Sequence, residues 1–580
     1  MQKKSLVKPT VLIKHREATA HDAGALADLH PVLRRVYLNR GVAQPEQLDR
    51  TLKNLPGFEH LSGIAEAVKI IKRAIKAQKK ILIVADFDAD GATSCAVAIR
   101  GLKMLGATNV DFVVPDRFKF GYGLTPEIVD VALELKPDLI ITVDNGISSV
   151  DGVAYAIKKG CQVVVTDHHL PPQQLPIADA IVNPQLLQDE FPSKALAGVG
   201  VIFYVLLALR ASLNEDGSFD NRAKPNLANL LDIVALGTVA DVVPMDETNR
   251  KLVHQGILRI QSHQCVPGIE ALLRIAKRDP DQVVSSDLGF AIAPRLNAAG
   301  RLDDMSLGIQ CLLTDNASEA QEIAEQLDLL NIERRSIEED MKKDAFKILD
   351  SLKIQDSGQE QWGICLFDEH WHQGVIGILA SRIKEKCNRP VIAFAKAGQG
   401  EIKGSARSIS GLHIRDTLDD IASQHPGLLK KFGGHAMAAG MSFAEKDFDF
   451  FTEVFNQAVK KRLNAQIPEN VFLVDGEIEE TEINLDLAMR LRQAGPWGQH
   501  FPEPQFVGKF KVRNARILSQ KHVKLELATF KANRKLDAIY FNVENPDAII
   551  GLAEVMIVYQ LDVNTYLGRS SAQLMVKHVI

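Results

Sequence analysis

Three acidic clusters carry the chemistry that this chain could perform: DFDADG at 86–91, VDNG at 143–146 and TDHH at 166–169. Each overlaps or follows a short apolar run, so the carboxylates fall at the ends of buried segments rather than on open surface. Taken singly, Asp-Gly and Asn-Gly are turn formers, and a histidine after a strand is a polar loop residue. Taken together, they would crowd carboxylates that repel one another strongly unless cations neutralise them. A metal cluster is therefore expected, and its mixture of carboxylate and imidazole suits manganese, zinc or iron better than an all-oxygen magnesium site.

The elements that must bring these residues together are legible around them. Residues 81–86, 111–115, 138–144 and 161–167 read as strands, and 92–105, 125–135 and the stretch up to 159 as helices. That alternation predicts a parallel sheet covered by helices on both faces. The strand runs lack polar alternation, as fully buried parallel strands should. Ligands of such sheets bind beyond the carboxyl ends of the strands, which is where the acids lie. A further apolar stretch, LLDIVALGTVADVVPM at 230–245, reads as a helix broken at Gly237 that presents Asp241 near its end. On its own, Asp241 there is a solvated helix terminus. No G-x-G-x-x-G follows the first strand, which excludes a dinucleotide-binding oxidoreductase.

The 580 residues imply three or four domains, and 46% hydrophobic with 24% charged residues is an ordinary globular composition. The longest apolar run, 198–209, is shorter than the roughly 20 residues a bilayer span needs and reads as a buried helix. The basic N-terminus has neither an apolar core nor a small-residue cleavage site, so a cytoplasmic location without membrane attachment is expected. Six dispersed cysteines without a CxxC pattern fit reduced, mostly buried thiols. The net charge of -5 weighs weakly against a nucleic-acid partner. Between 509 and 535, however, nine Lys and Arg face a single acid, Glu526, and Lys509, Lys511 and Arg513 alternate with Phe510 and Val512. A strand with one basic and one apolar face suits a β-barrel that follows a phosphate backbone.

In their order along the chain, DFDADG, VDNG, TDHH and GTVADVVPM resemble the four motifs of the DHH phosphoesterase superfamily. PRLNAAGRL (294–302), HWHQGVIGILASR (370–382), GSARS (404–408), GGHAMAAG (433–440) and PWGQHFPEP (496–504) resemble segments of its RecJ branch, the single-strand-specific 5′ to 3′ DNA exonucleases of bacteria. The resemblance runs over nearly the whole chain. It implies an α/β fold: a parallel-sheet DHH domain joined by a long helix to a smaller α/β DHHA1 domain, with a C-terminal OB-fold β-barrel. The corresponding division is 1–60 for an N-terminal helical segment, 61–312 for the DHH domain, 313–352 for the connecting helix, 353–455 for DHHA1 and 456–580 for the OB-fold. Residues 316–352 are charged, periodic and free of Gly and Pro, with Ser318 and Gln321 spaced as a capping box.

Carried over residue by residue, the resemblance implies two divalent cations, Mn2+ ahead of Mg2+. Asp88, Asp90, His168 and Asp241 would be ligands and Asp144 a bridging one. Asp86, Asp167 and His169 would lie close by in catalytic or supporting positions, where a carboxylate fixes the orientation of an imidazole. GSARS as a strand puts Ser405 and Arg407 on one face, a hydroxyl and a guanidinium suited to phosphate. GGHAMAAG reads as glycines admitting close backbone approach, then small residues for a packed helix, with His435 projecting from the turn. The resemblance assigns His435 to the scissile phosphate. It assigns Arg117, Ser405, Arg407 and either Arg295 or Arg301 to the 5′-terminal phosphate. The implied partners are single-stranded DNA, a single-strand-binding protein and a helicase. Two other functions compete: a phosphodiesterase of short oligonucleotides or cyclic dinucleotides, which would not need the basic barrel, and a non-catalytic DNA-binding relative, which would not need the full ligand set.

Overall fold

The computed structural model describes residues 11–19, 21, 24–116, 119–120, 123–354, 361–566 and 568–580. Arg117 and the N-terminal residues 1–10 thus lie outside the described residues. Two compact units are formed, one from His15–Asp328 with Leu473–Ile580, the other from Leu329–Phe472 with residues 11–14.

In the larger unit, five parallel strands lie side by side in the order Val110–Val113, Ile81–Ala85, Leu139–Val143, Gln162–Thr166 and Ala180–Val182. Every residue of Ile81–Ala85 and Leu139–Val143 is buried, as the unbroken apolar runs require. From Ile81–Ala85 the chain first adds a strand on one side and then crosses to the other. The topological switch point therefore lies between Ile81–Ala85 and Leu139–Val143, and a crevice opens there beyond their carboxyl ends.

Three helices complete the positioning scaffold. Ala89–Met104 follows the first strand, and Gly198–Glu215 packs against it so closely that a Cβ on Gly101 would lie 2.3 Å from Leu206. Gly198–Glu215 has the length and apolarity of a membrane span, but 67% of it is buried inside the fold. The third helix, Leu231–Ala240, runs straight through Gly237 instead of breaking there. Gly237 serves contact, not interruption: a Cβ would meet Thr93 Oγ1 at 2.1 Å and Val199 Cγ1 at 2.8 Å.

The C-terminal strands Phe506–Leu518, His522–Ala528, Lys535–Tyr540, Arg569–Val579 and Glu554–Tyr566 close into a five-stranded barrel in that order. The segment leading into it is strapped to the sheet domain. Met245 N–H donates to Gln499 O at 2.8 Å, Ser285 Oγ donates to Trp497 O at 2.8 Å, and Tyr37, Trp497 and Phe501 pack as a ring cluster. The expected helical segment 1–60 contains the helix Pro31–Leu38 but also the strand Val11–His15. All six cysteines are free thiols.

The smaller unit is a five-stranded sheet ordered Lys431–Gly434, Ala438–Ala444, Glu401–Arg407, Val391–Gly398, Ile364–Phe367, parallel only in its last pair. Phe394, Phe443, Phe451 and Phe455 fill its core. GGHAMAAG forms a β-hairpin, with Gly433 opposite Gly440, not a turn and helix. The small residues leave room for tight strand pairing, and Gly434 turns at φ +139°, where a Cβ would meet Ala438 O at 2.4 Å. The helix Phe448–Arg462 runs unbroken through residue 456, so the expected DHHA1 to OB division falls inside a helix.

The long helix Ala317–Ile354 begins in the larger unit and continues in the smaller. Its cap is Asn316, whose Oδ1 accepts from Ser318 N at 2.9 Å and Glu319 N at 3.4 Å, and not the expected Ser318 to Gln321 box. Losing such a cap costs about 1 kcal/mol. Asn316→Ala should therefore speed hydrogen exchange of the first-turn amides about fivefold, while Ser318→Ala leaves it within twofold; equal effects would contradict the assignment.

Candidate metal centre

The crevice at the switch point gathers the acids of all four motifs. Asp86 and Asp88 stand after the first strand, Asp90 in the first turn of the helix Ala89–Met104, and Asp144 after the strand Leu139–Val143. His168 and His169 follow the strand Gln162–Thr166, and Asp241 ends the helix Leu231–Ala240. Their ligand atoms form three overlapping groups, each within 4.8 Å: Asp86, Asp88 and Asp144; Asp90, His168 and Asp241; and Asp144, His168 and His169. Asp144 and His168 each belong to two groups, the arrangement needed to serve neighbouring cations.

Local structure explains how each side chain is aimed. Asp88 caps its helix, with Oδ1 accepting from Asp90 N at 2.9 Å and Gly91 N at 3.0 Å. Asp90 receives Gly198 N at 2.7 Å and Val199 N at 3.0 Å, the first amides of the helix Gly198–Glu215, whose positive end favours a carboxylate. Asp144 adopts a left-handed backbone at φ +61°, a conformation that Asp tolerates better than most side chains. The neighbouring Asn145 ties the two central strands together by donating to Val84 O and Val143 O.

Asp167 is spent on support. Its carboxylate accepts from the backbone of Ile147, His168 and His169, and from His169 Nδ1 at 2.7 Å. This leaves His169 Nε2 as that ring's outward atom. His168 Nε2 lies 3.1 Å from Asp144 Oδ1, 3.4 Å from Asp241 Oδ2 and 3.9 Å from Asp90 Oδ2. It is buried and makes no hydrogen bond. A buried nitrogen facing three carboxylate oxygens outside hydrogen-bonding geometry is what a ligand of a shared cation looks like, and the donor set fits a divalent ion such as Mn2+.

Protonation follows from the crowding. Burial, then the charge of Asp241, pushes Asp90 up to about 7; burial and then Asp88 push Asp241 up to about 8. Asp144 is raised well above the carboxylate range by burial and by Asp90 and Asp88. Burial and the neighbouring His169 lower His168. Burial also disfavours the His169 cation, but the hydrogen bond and charge of Asp167 outweigh it and lift His169 to about 9. A cavity of about 460 Å3 opens beside His168, lined also by Gln185, Lys194, Val243 and Asp246.

The remaining expected site residues form other groups. In the larger unit, Arg295 is turned inward, with Nε 2.9 Å from Asp328 Oδ1 and Nη1 donating to Ala291 O at 2.5 Å; Arg301 is half-buried on the same helix, Ala293–Leu302. In the smaller unit, Arg407 Nη1 donates to Ser405 Oγ at 3.1 Å and to Ala406 O at 2.8 Å, so the two side chains do share a face. A Cβ on Gly377, in the first turn of the helix Ile376–Cys387, would lie 2.8 Å from Arg407 Nη2. The guanidinium thus sits at the positive end of a helix, with no carboxylate partner among the described residues, and burial lowers its pKa. His435 is exposed in the hairpin turn. On the barrel, Lys509, Lys511 and Arg513 are exposed and Phe510 is buried. Lys509 is not a free cation, because Glu554 on the neighbouring strand meets its Nζ at 2.5 Å.

Family models match residues 80–238 as the DHH family N-terminal domain, 360–461 as the DHHA1 domain and 474–578 as the RecJ OB domain. A single-stranded-DNA-specific exonuclease RecJ from Salmonella typhimurium is 49% identical over 572 residues, covering 98% of both chains. The chain belongs to the RecJ family. Crystal structures of RecJ from Thermus thermophilus in complex with Mn2+ and with Mg2+ share its fold, with TM-scores of 0.78 and 0.72 at 29% and 28% identity. Each covers 96% of this chain, which spans 77% and 76% of those chains.

In this RecJ-family chain, residues outside the acidic motifs also shape the centre. Gly198 donates to Asp90, and a Cβ on it would lie 2.6 Å from Asp144 Cβ; the only signal in the sequence is a glycine heading an apolar helix. Asn297 Oδ1 accepts from Ala89 N at 3.0 Å, and a Cβ on Gly300 would lie 1.8 Å from Phe87 O, so PRLNAAGRL clamps the first acidic loop.

The raised carboxylates fix the sign of a pH dependence. Protonated in the fold but with ordinary pKa values when unfolded, Asp90, Asp144 and Asp241 favour the folded metal-free protein least at high pH: stability falls as pH rises from about 4 through about 8. His169 acts in the same direction between its unfolded value and about 9. The metal-free melting temperature should fall between pH 6 and pH 8, and Mn2+, which binds the deprotonated ligands, should stabilise more at pH 8 than at pH 6. Asp144→Asn, which keeps a side chain tolerant of φ +61°, should melt no lower than wild type without metal and lose most of the Mn2+ gain. A lower metal-free melting temperature for this variant would contradict the repulsion argument.

Proposed function

We propose that this chain is a metal-dependent, single-strand-specific DNA exonuclease that digests from the 5′ end and releases 5′-mononucleotides in DNA recombination and repair. The carrying observation is the set of overlapping ligand groups that share Asp144 and His168 in one buried crevice. Asp88, Asp90, Asp144, His168 and Asp241 would hold two cations, with Asp86 and His169 within reach of the same groups. Divalent ions there would activate water and stabilise the leaving oxygen of a phosphodiester. The protein's own part is to hold these groups rigidly: Asp167 fixes the His169 ring, the amides of Gly198 and Val199 fix Asp90, and Asn145 ties the strands beneath.

Arg407 with Ser405 is proposed to bind the terminal 5′-phosphate. What supports this is a part-buried guanidinium at a helix N-terminus without an acidic partner among the described residues, a place where an anion is favoured. One of the two further arginines, Arg295, which also meets Asp328, or Arg301 on the same helix, is proposed to join them at that phosphate. Arg117 keeps its proposed role from family resemblance, as does His435 at the scissile phosphate. The barrel is proposed to track the strand with Lys511 and Arg513, Lys509 contributing less because Glu554 neutralises it. A single-strand-binding protein and a helicase are the proposed loading partners, and the free cysteines fit a reducing cytoplasm.

The deciding experiment digests a single strand labelled at either end, with and without chelator, and with its complement annealed. Loss of label from the 5′ end only, abolished by chelator and suppressed in the duplex, is expected; undiminished digestion under chelation, or equal digestion of duplex, would refute the reading.

Two variants test the substrate contacts. Arg407→Ala should reduce the preference for a 5′-phosphate over a 5′-hydroxyl about tenfold or more, the effect of losing a charged hydrogen bond worth about 1.5–3 kcal/mol. An unchanged preference would remove Arg407 from the terminal site. Replacing Lys511 and Arg513 together by Ala should flatten the slope of log affinity against log salt by up to about 1.4, at about 0.7 per phosphate. Cleavage of a very short oligonucleotide should keep its maximal rate, and an unaltered slope would mean that this face does not meet DNA.

A further inference from the structure

Phe290 is 80% exposed, whereas its neighbours Leu288 and Ile292 are fully buried and Ala291 is 5% exposed. It lies in the single π-turn Leu288–Ile292, a geometry that costs helix regularity and recurs at functional sites. The turn is pinned from both sides to the metal centre. Gly289 packs on Val239, two residues before Asp241, with only 3.2 Å available to a Cβ. The helix that follows, Ala293–Leu302, is fastened to the Asp86–Asp90 loop through Asn297 and Gly300. A support packed against the helix that ends in Asp241 and against the Asp86–Asp90 loop thus presents one aromatic ring to solvent. Val242, directly after Asp241, is also exposed, at 62%.

We infer that Phe290 is a base-stacking residue that receives an unpaired nucleobase of the strand being cut and thereby contributes to selection for single strands. The inference rests on the proposed exonuclease function. An exposed phenyl ring has no charge or hydrogen bond to offer a phosphate, but every base has a face that it can cover, whatever the sequence. In a duplex every base inside the ends is stacked on both faces, so beyond the terminal base the contact is available only to a strand whose bases can splay apart. The phosphates would be held by the groups described above, while Phe290 sets the position of the base attached to one of them.

The test uses the full chain with Mn2+ and 5′-phosphorylated single strands carrying one abasic step, moved along the first several positions. Phe290→Ala should raise KM on the intact strand about tenfold, with kcat within twofold and the melting temperature unchanged, and Phe290→Trp should restore the wild-type KM. At one abasic position wild type and Phe290→Ala should become equal, because the base that the ring would cover is missing. Equal losses at every abasic position, or an unchanged KM on the intact strand, would overturn the stacking role, the second result leaving Phe290 as a contact for another protein. If wild type itself cleaves no single strand, the exonuclease reading fails instead, so the two failures are distinguishable.

Discussion

Repulsion among buried carboxylates is the constraint around which the larger unit is organised. Asp90 and Asp144 are buried and Asp241 half-buried beside them, and two of the three face the same imidazole nitrogen at less than 3.5 Å. A fold driven by apolar burial alone would not assemble such a site. The chain offsets the repulsion with oriented dipoles: the N-terminal amides of one helix on Asp90, backbone N–H groups on Asp88, and three backbone amides with an imidazole on Asp167. These hold the acids in place without neutralising all of them. The repulsion that is left is relieved either by protons, as the raised Asp90, Asp144 and Asp241 show, or by cations that displace them.

The same logic separates the carboxylates by task. Asp167 has its acceptor capacity filled, and its pKa is driven down although burial opposes this, through His169, His168 and the Ile147 amide. Asp144 and Asp241 are driven up. Acids brought together in one crevice are thus supporting or ligand-like according to how many N–H groups reach them.

Much of this was readable in the sequence because it depends on short-range pattern. Short unbroken apolar runs ending in Asp at 81–86 and 138–144 read as buried strands with acids at their mouths, while the assignment of individual ligands came from the family resemblance. What could not be read depended on partners distant in the chain. Gly237 looked like a break because its true reason, contact with Thr93 and Val199, lies on other helices. Lys509 looked free because Glu554 reaches it only once the barrel closes. GGHAMAAG carries neither a period of 3.6 nor of 2, since small residues bury little on either face, and pairing with the strand Glu401–Arg407 decided in favour of a hairpin. Asn316 and Ser318 both had capping chemistry, and a shift of two residues in the helix start separated them.

The strap between Gln499 and Met245 bears on how separable the parts of this chain are. The barrel's entry segment supplies the backbone partner for a residue only four positions beyond Asp241, and its Trp497 and Phe501, 8% and 3% exposed, cover Tyr37 from the opposite end of the chain. A shortened chain ending near residue 473 would lose Trp497 and Phe501, bare Tyr37 and untether the loop after Asp241. The matched OB domain is therefore not a module that could be exchanged at its own edge near residue 474. Any recombination between relatives that preserves a working centre would have to move residues 473–505 together with the sheet domain, placing the natural joint just before the first barrel strand instead of at the edge of the matched domain.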